Sequence, residues 1–256
     1  MKCLAMVMIG RLENWDFKVG DDVNRDDIMN DYKLINGECI EEMQKLIDDG
    51  VKVDLIVTDP PYLMNYSTNR RKNKEHDFCK PILNDDNFEL IKDIMPLLFE
   101  LLNDGGAVYM FCNTNHIDYF KQQIEQHFKL KNLLIWVKNN WSGGDLKGAY
   151  AKQTEFILYA VKGRHILNGR RDTDVLYYNR VVGNKQLHQN QKPIDLCKFL
   201  INKSSQPNDT VLDCFMGSGT TGVACQELNR NFIGIEKVEK YYDIAKQRIN
   251  EAKAQE

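Results

Sequence analysis

From residue 33 onward, short apolar runs alternate with longer segments in which apolar residues recur at helical spacing. The run 33–35 ends at a turn containing Gly37, the segment 40–48 has helical spacing, and the apolar run 53–57 predicts a strand. A strand, a helix and a second strand in this order form a βαβ unit, whose two strands lie parallel. The beginning of the pattern therefore predicts a parallel sheet.

The alternation continues to the end of the chain. A helix is predicted over 88–102, with Pro96 expected to kink it or to start a new segment there. Further strands are predicted at 107–111, 132–137, 155–160, 211–212 and 232–235, and helices at 194–201, after Gly219, and at the C-terminus, where one face carries Val238, Tyr242, Ala245 and Ile249. Strands separated by helices predict a doubly wound α/β fold with a mostly parallel sheet, which binds ligands at the carboxyl ends of its strands.

Composition narrows the class of protein. The chain has 256 residues, 43% of them hydrophobic, which is enough to build a large core. A net charge of −3 excludes a protein that binds nucleic acid by bulk charge alone. The seven cysteines form no CxxC pair, which argues against a zinc ribbon or a disulfide framework. No apolar run approaches the roughly 18 to 20 residues of a membrane span, so we expect a cytoplasmic protein that does not contact a membrane.

Two ranges stand apart from the regular pattern. Residues 1–31 carry seven acidic and four basic side chains, and we expect a peripheral N-terminal arm, with one large domain over 32–256. Residues 162–191 form the longest region without strong periodicity.

A glycine-containing turn joins the predicted strand 211–212 to a helix. Gly217 and Gly219 lack Cβ atoms, so a ligand can approach the main chain there, and Glu236 ends the next strand, where an acid can accept hydrogen bonds from two ribose hydroxyls. The turn is neither GxGxxG nor GxxxxGKS, which disfavours a dehydrogenase or an ATPase. The alternative is a tight turn without a ligand.

The tetrapeptide Asp59-Pro60-Pro61-Tyr62 directly follows the predicted strand 53–57. Two prolines make a rigid exit, so that the Asp59 carboxylate and the Pro60 carbonyl are two neighbouring acceptors beside the flat ring of Tyr62. Such a site could bind an exocyclic amine on an aromatic ring. The alternative is a rigid turn in which Asp59 caps a helix and Tyr62 packs in the core.

Together, DPPY and the later Asp-x-Phe-x-Gly-Ser-Gly-Thr-Thr resemble the amino-group DNA methyltransferases that use S-adenosylmethionine. The tetrapeptide precedes the glycine turn, an order similar to the circularly permuted β-class with its Rossmann-like fold. The resemblance covers about residues 33–250. It includes Gly37-Glu38-Cys39, similar to the segment that flanks the cofactor adenine, and 188–193, similar to the segment beside the cofactor's methionine end. Glu38, Asn140, Cys214 and two positions of 188–193, Gln189 and Asn190, depart from the family pattern.

The resemblance implies S-adenosylmethionine as cofactor, no metal, and two sets of site residues. The catalytic set is Asp59, Pro60, Pro61 and Tyr62. The cofactor-binding set is Cys39, Asp59, Lys192, Asp213, Phe215, Gly217, Ser218, Gly219, Thr220 and Glu236. The cysteines need not act as nucleophiles, and we expect buried structural thiols.

Two segments carry local positive charge. The range 68–80 has a net charge of +3, and 162–185 has +4 with two tyrosines interleaved. We interpret them as a phosphate-binding loop and, over 162–191, a small target-recognition region; the alternative is a pair of solvated loops. Lys138 and Asn139 belong to a stretch that is similar to one lining the target-base pocket of the family. With them, the DNA-binding candidates are Arg70, Arg71, Lys72, Lys138, Asn139, Arg170, Arg171, Tyr177, Tyr178 and Arg180.

The resemblance implies a DNA methyltransferase that modifies the 6-amino group of adenine in a short sequence of double-stranded DNA, by in-line displacement on a flipped base. Three alternatives stay open: a cytosine-N4 enzyme, an RNA base methyltransferase, and a non-catalytic nucleic-acid-binding subunit. The short recognition region favours a homodimer or a short target. A cognate restriction endonuclease is a candidate partner.

Overall fold

The computed structural model describes residues 31–62, 87–141, 147–182 and 191–254. Almost all of the predicted arm 1–31, the basic residues Arg70, Arg71 and Lys72, and residues 183–190 lie outside the described residues.

Eight strands of the described ranges form one sheet. The strands are β1 (Tyr32–Asn36), β2 (Val53–Thr58), β3 (Leu102–Cys112), β4 (Lys129–Val137), β5 (Thr154–Val161), β6 (Val175–Tyr177), β7 (Thr210–Asp213) and β8 (Asn231–Glu236). The helices that connect them are α1 (Cys39–Asp48), α2 (Phe88–Leu101), α3 (Ile117–Glu125), α4 (Ile194–Ser204), α5 (Thr220–Gln226) and α6 (Glu239–Lys253).

The sheet order is β1-β8-β7-β2-β3-β5-β4-β6, and β5 alone runs against its neighbours. The other seven strands point the same way, so the predicted mostly parallel α/β sheet is confirmed. Seven carboxyl ends, together with the amino end of β5, lie along one edge of the sheet, which we call the carboxyl edge.

Helices cover both faces of the sheet. On one face α1, α2 and α3 pack against strand side chains such as Ile56 and Val108. On the other, α4, α5 and α6 pack against side chains such as Leu55 and Val57. Successive strand residues point to opposite faces, and both faces are buried, which explains why β2 is apolar nearly throughout.

Several elements differ from the prediction. Strand β6 was not predicted, because it has only three residues and lies in the range 162–191, which lacks strong periodicity. Helix α2 continues through Pro96 as one helix, because Ile94, Met95 and Leu98 are fully buried and their packing outweighs the hydrogen bond that proline lacks. Strand β3 begins at Leu102, before the predicted start, since Gly105 and Gly106 exchange backbone hydrogen bonds with Lys162. Helix α3 was not predicted; it is only nine residues long, with a short apolar face.

The helices of the described ranges are too short or too polar to cross a membrane.

Candidate active site

Strand β2 lies in the middle of the sheet, between β3 and β7, and delivers the DPPY turn to the carboxyl edge. Pro60 is buried, and Asp59 and Tyr62 are partly buried. The backbone carbonyl of Tyr62 accepts a hydrogen bond of 2.9 Å from Nδ2 of Asn113, which directly follows β3. The turn is thus fixed by the neighbouring strand as well as by its own two prolines.

Lys192 reaches this turn from the segment that precedes α4. Its Nζ lies 2.6 Å from Oδ2 of Asp59 and 2.8 Å from Oη of Tyr62. The same ammonium lies 3.3 Å from Oε2 of Glu155 and 4.9 Å from the ring centroid of Phe111. Burial would lower the pKa of Lys192, but the two carboxylates outweigh burial and raise it. A charged lysine therefore stands at the centre of the site.

Glu155 is a site residue that the sequence reasoning missed. Its Oε1 pairs with Nζ of Lys138, and its Oε2 accepts a hydrogen bond of 3.2 Å from the hydroxyl of Tyr62. Burial disfavours the charged form of Glu155, but the ammonium groups of Lys192 and Lys138 outweigh burial and lower its pKa to about 2. Glu155 stands one residue after the start of β5, and only the reversed direction of that strand brings it to the carboxyl edge.

The two carboxylate oxygens of Asp59 differ in their contacts with the described residues. Burial raises the pKa of Asp59, while Lys192 opposes the rise. Oδ2 binds Lys192, whereas Oδ1 is buried and has no hydrogen-bond partner among the described residues. A buried acceptor without a donor costs free energy, so this oxygen is suited to a donor supplied by a ligand.

Asp213, the last residue of β7, holds the glycine turn through hydrogen bonds. Oδ1 of Asp213 accepts hydrogen bonds of 3.1 Å from Thr58 Oγ1 and from the backbone N–H of Phe215, and Oδ2 accepts one of 2.7 Å from Thr221 Oγ1. Burial raises the pKa of Asp213 to about 7, although the three hydrogen-bond donors oppose the rise. The hydrogen bonds of Asp213 to Phe215 and Thr221 therefore fix the shape of the loop.

Glu236, at the end of β8, holds the other side of the turn. Its Oε2 accepts a hydrogen bond of 3.0 Å from the backbone N–H of Gly217, which has a φ of 53°, and its Oε1 accepts one of 2.8 Å from Val238. Burial raises the pKa of Glu236, and its backbone hydrogen bonds oppose the rise. Each carboxylate oxygen can accept a further bond, so Glu236 remains able to accept ligand hydroxyls.

Gly219 serves helix packing in this structure. Its φ is 77°, and a Cβ at this position would lie 2.8 Å from the Cβ of Ala245 on α6. Arg248, also on α6, donates to the backbone carbonyl of Ser218 and approaches the hydroxyls of Ser218 and Thr220 at 3.2 and 3.5 Å. The space on the Cβ side of Gly219 is therefore occupied by α6. The approach of a cofactor to the main chain of Gly219 stays a prediction. Sequence reasoning did not identify Arg248.

The carboxyl end of β1 lies beside this loop. The N–H of Gly37 donates to the Glu236 carbonyl at 3.1 Å, and Glu38 pairs with Lys237. Cys39 packs in the same apolar cluster as Phe215, and burial raises the pKa of its thiol to about 12. The segments after β1, β7 and β8 thus form one corner of the carboxyl edge, which we call the glycine corner.

The cysteines at 39, 112, 197, 214 and 225 are buried free thiols, as predicted.

Five of the DNA-binding candidates lie on the opposite side of Asp59 from the glycine corner. Lys138 pairs with Glu155, and Oδ1 of Asn139 accepts a hydrogen bond of 3.1 Å from the backbone N–H of Arg180. Tyr177, at the end of β6, is 76% exposed, whereas Tyr178 is partly buried against Phe199. These residues, with Arg180, occupy the carboxyl edge at β4 and β6.

Arg170 and Arg171 are not brought to this site, and the expectation that they flank it is wrong. The backbone carbonyl of Arg170 accepts a hydrogen bond of 2.7 Å from Lys203, near the C-terminal end of α4. Lys192 precedes the other end of that helix, whose 11 residues span about 16 Å. The reason is that β5 carries the chain away from the carboxyl edge, so the loop after it lies at the amino ends of the parallel strands.

Comparison with known proteins places these features in a family. The family model described as DNA methylase matches residues 53–247. The Type II methyltransferase M.HinfI of Haemophilus influenzae is 28% identical over 90% of this chain and 71% of its own length. A DNA adenine methyltransferase of Escherichia coli K12, YhdJ, is 27% identical over 86% of this chain and 83% of its own.

Solved structures show the same relationship. The crystal structure of the M1.HpyAVI–SAM complex has a TM-score of 0.69 and 33% identity, covering 86% of this chain and 99% of that one. PvuII DNA methyltransferase, described as cytosine-N4-specific, has a TM-score of 0.67 at 13% identity, covering 89% of this chain and 93% of that one, and shares the fold. By the family match over most of its sheet and by its relatives, this chain belongs to the DNA methylase family.

Proposed function

We propose that this DNA methyltransferase transfers a methyl group to the 6-amino group of adenine within a short sequence of double-stranded DNA. The observation that carries the proposal is the state of the Asp59 carboxylate. Oδ2 is held by Lys192, and Oδ1 is buried without a partner among the described residues, next to the ring of Tyr62. An acceptor beside an aromatic ring is complementary to an amino group on a flat base.

The glycine corner fits S-adenosylmethionine, the cofactor of this enzyme. Glu236 keeps acceptor capacity for the ribose hydroxyls, and the segments at Cys39 and Phe215 would flank the adenine. When bound, the cofactor supplies an activated methyl group on a sulfonium centre. Three residues of the cofactor-binding set would act by fixing the shape of the loop. Asp213 does so through its hydrogen bond with Thr221, and Ser218 and Thr220 do so through their contacts with Arg248.

The protein groups would act on the nucleophile. The lone pair of an aromatic amino nitrogen is delocalised into the ring, and acceptors at its N–H groups favour a tetrahedral nitrogen. Asp59 Oδ1 and the Pro60 carbonyl are the proposed acceptors, and Tyr62 stacks on the base. The Asp59 carboxylate also stabilises the positive charge that develops on nitrogen. Correct mutual orientation of two reactants can supply about 7 to 11 kcal/mol of the barrier reduction.

A base inside a duplex cannot reach a buried carboxylate, so the proposal requires that the target nucleotide leaves the helix, at a cost of a few kcal/mol. Contacts to phosphates and bases must offset that cost. The exposed ring of Tyr177 and the basic Arg180 lie along the carboxyl edge in the direction away from the glycine corner. We place the DNA there. The chain would thus bind its two substrates on opposite sides of Asp59.

The test is to identify the methylated nucleoside. Purified protein is incubated with genomic DNA from a methylation-deficient bacterial strain and cofactor labelled in its methyl group, and the DNA is digested and analysed by mass spectrometry. The expected product is N6-methyldeoxyadenosine. Labelled N4-methyldeoxycytidine alone would overturn the adenine assignment, and label in total RNA but not in DNA would overturn the DNA assignment.

Asp59→Ala should abolish transfer while cofactor affinity changes by only a few-fold. The matched control is Asp172→Asn, since Asp172 also pairs with a lysine, Lys203 at 2.8 Å, but lies away from the site. Transfer by Asp59→Ala at the wild-type rate would refute the role of Asp59.

A further inference from the structure

Glu155 connects the two halves of the proposed base pocket. Its Oε2 lies 3.3 Å from Nζ of Lys192, which holds Asp59, and 3.2 Å from the hydroxyl of Tyr62. Its Oε1 pairs with Lys138. One carboxylate therefore contacts the lysine that holds the proposed acceptor and the tyrosine that provides the proposed stacking ring.

Three acceptors of the described residues surround the ammonium of Lys192. They are Oδ2 of Asp59, Oη of Tyr62 and Oε2 of Glu155. Together these acceptors favour one orientation of the N–H donors. Without Glu155, the ammonium would lose one of these contacts and could turn toward Oδ1 of Asp59, the oxygen that the base requires.

The ring of Tyr62 is fixed at its distal end. Its hydroxyl accepts from Lys192 and donates to Glu155, so both hydrogen-bonding functions of the phenol are used. At the other end of the residue, Asn113 holds the backbone carbonyl. The loss of Glu155 would free the hydroxyl and allow the ring to change its tilt.

The position of Glu155 is itself set by the sheet. In the β4–β5 pairing Glu155 lies opposite the buried Trp136, and the next residue, Phe156, lies opposite Cys112 of β3. Strands on both sides hold the backbone at this point. A side chain on such a rigid support can set the orientation of its partners with little freedom of its own.

The charges of the four ionic groups around Lys192 sum to zero. Asp59 and Glu155 carry two negative charges, and Lys138 and Lys192 carry two positive charges, with each side chain no more than about one-fifth exposed. A neutral set is less costly to bury than an unpaired charge. Glu155 is the member that touches both lysines.

We propose that Glu155 is a positioning residue for methyl transfer, which keeps Oδ1 of Asp59 open to the target amino group and holds the Tyr62 ring in its stacking orientation. The inference rests on the proposed function of the same site. Glu155 touches neither substrate in this scheme and acts through Lys192 and Tyr62.

The test compares Glu155→Gln and Glu155→Asp with the wild type on genomic DNA from a methylation-deficient strain. Misplacement of reacting groups by about 1 Å can cost on the order of 100-fold in rate, so kcat should fall about 10- to 100-fold in both variants. The cofactor KM and calorimetric cofactor affinity should stay close to wild type, because the glycine corner is unchanged. The stoichiometry of calorimetric binding also reports the folded fraction.

The pH profile separates positioning from general weakening of the fold. The groups that face Asp59 electrostatically are Lys192, Glu155, Tyr62, Cys112, Cys197 and Asp213. The Glu155 charge raises the pKa of Asp59, so its removal in Glu155→Gln should move the acid limb of kcat/KM to lower pH. Glu155→Asp keeps the charge and should keep the wild-type limb, while its shorter side chain loses rate.

The control is Glu227→Gln, which breaks a surface pair with Lys198 between α4 and α5 and should leave kcat and the pH profile unchanged. Wild-type kcat in Glu155→Gln, or a cofactor affinity that falls in proportion to the rate, would overturn the role of Glu155. If Glu155→Gln does not fold, wild-type kcat in Glu155→Asp would do the same. A wild-type protein that methylates no adenine would instead refute the proposed function.

Discussion

Lys192 and Asp59 stand 133 positions apart in the chain and meet at 2.6 Å at the carboxyl edge of the sheet. Asp59 directly follows strand β2 and Lys192 precedes helix α4, so the contact joins two elements that no local pattern relates. Because burial raises the pKa of Asp59 and Lys192 opposes that rise, the ionisation of the proposed acceptor depends on this lysine.

Replacement of Lys192 by methionine should raise the pKa of Asp59 further. The Lys192 ammonium lowers the pKa of Asp59, so the acid limb of kcat/KM should move to higher pH in Lys192→Met. The pH dependence of methyl incorporation measures the shift, with Lys198→Met as a control on an exposed pair. An unchanged acid limb would show that Asp59 does not depend on Lys192.

The packing of Gly219 against α6 predicts a large loss of stability on substitution. Gly219→Ala adds a Cβ 2.8 Å from that of Ala245 and also strains a positive φ. Overpacking of this kind costs about 1 to 3 kcal/mol. Gly50→Ala is the matched control, because Gly50 has a φ of 72° with nothing within 4 Å of the added Cβ. Urea denaturation should show the larger loss for Gly219→Ala, and equal losses would contradict the packing argument.

Asp213 should make stability depend on pH. Its pKa in the folded protein is about 7, above the unfolded value, so the folded state binds the proton more tightly. The contribution to stability is present below about pH 4 and is lost as pH rises through 7, by at most about 1.4 kcal/mol per pH unit. Urea denaturation at several pH values should show this fall for the wild type and a smaller one for Asp213→Asn. Parallel profiles of the two proteins would count against the raised pKa.

Glu236 should matter for cofactor affinity more than for the chemical step. Glu236→Gln keeps one side-chain oxygen as a hydrogen-bond acceptor. The other oxygen becomes an NH₂ group, which cannot accept the hydrogen bond from the N–H of Gly217 or of Val238. Loss of one hydrogen bond to a charged group, about 1.5 to 3 kcal/mol, predicts S-adenosylmethionine affinity reduced at least about 10-fold. Calorimetry measures the affinity, and kcat at saturating cofactor should change little. A variant with normal affinity would remove Glu236 from the proposed cofactor site.

Arg180 and the pair Arg170 and Arg171 lie at opposite edges of the sheet, so their replacement should affect DNA affinity differently. Arg180 lies at the carboxyl edge, so Arg180→Ala should weaken binding and reduce the salt slope by about 1 if it contacts one phosphate. Arg170→Ala combined with Arg171→Ala should leave both quantities unchanged, because that loop lies at the opposite edge. Fluorescence anisotropy on a duplex oligonucleotide at several salt concentrations measures both. The reverse result would place the DNA on the other edge.

The parts of the site that follow directly from a strand could be predicted from sequence. Asp59, Asp213 and Glu236 each end or follow an apolar run, and parallel strands bring their carboxyl ends to one edge. The contact between Lys192 and Asp59 was not predicted, since a segment before a helix has no fixed position relative to a distant strand. The family resemblance implied only that Lys192 belongs to the cofactor-binding set.

The parts that could not be predicted depend on strand direction and on non-local packing. The alternation of residues 155–160 predicts a strand but not which way it runs, and the direction of β5 decides both that Glu155 reaches the site and that Arg170 does not. Arg248 has the sequence signature of any exposed helix residue. Its role appears only when α6 packs under the glycine turn.

The reversed strand β5 has a consequence for the length of chain that leads into it. The register of Glu155 is set by pairing with Trp136 and not by the connection that precedes the strand. We therefore expect insertions or deletions between Asn139 and Gln153 to leave the ionic cluster around Lys192 with the same geometry. The number of residues that separates the DPPY turn from Glu155 along the chain can vary while the pocket stays the same.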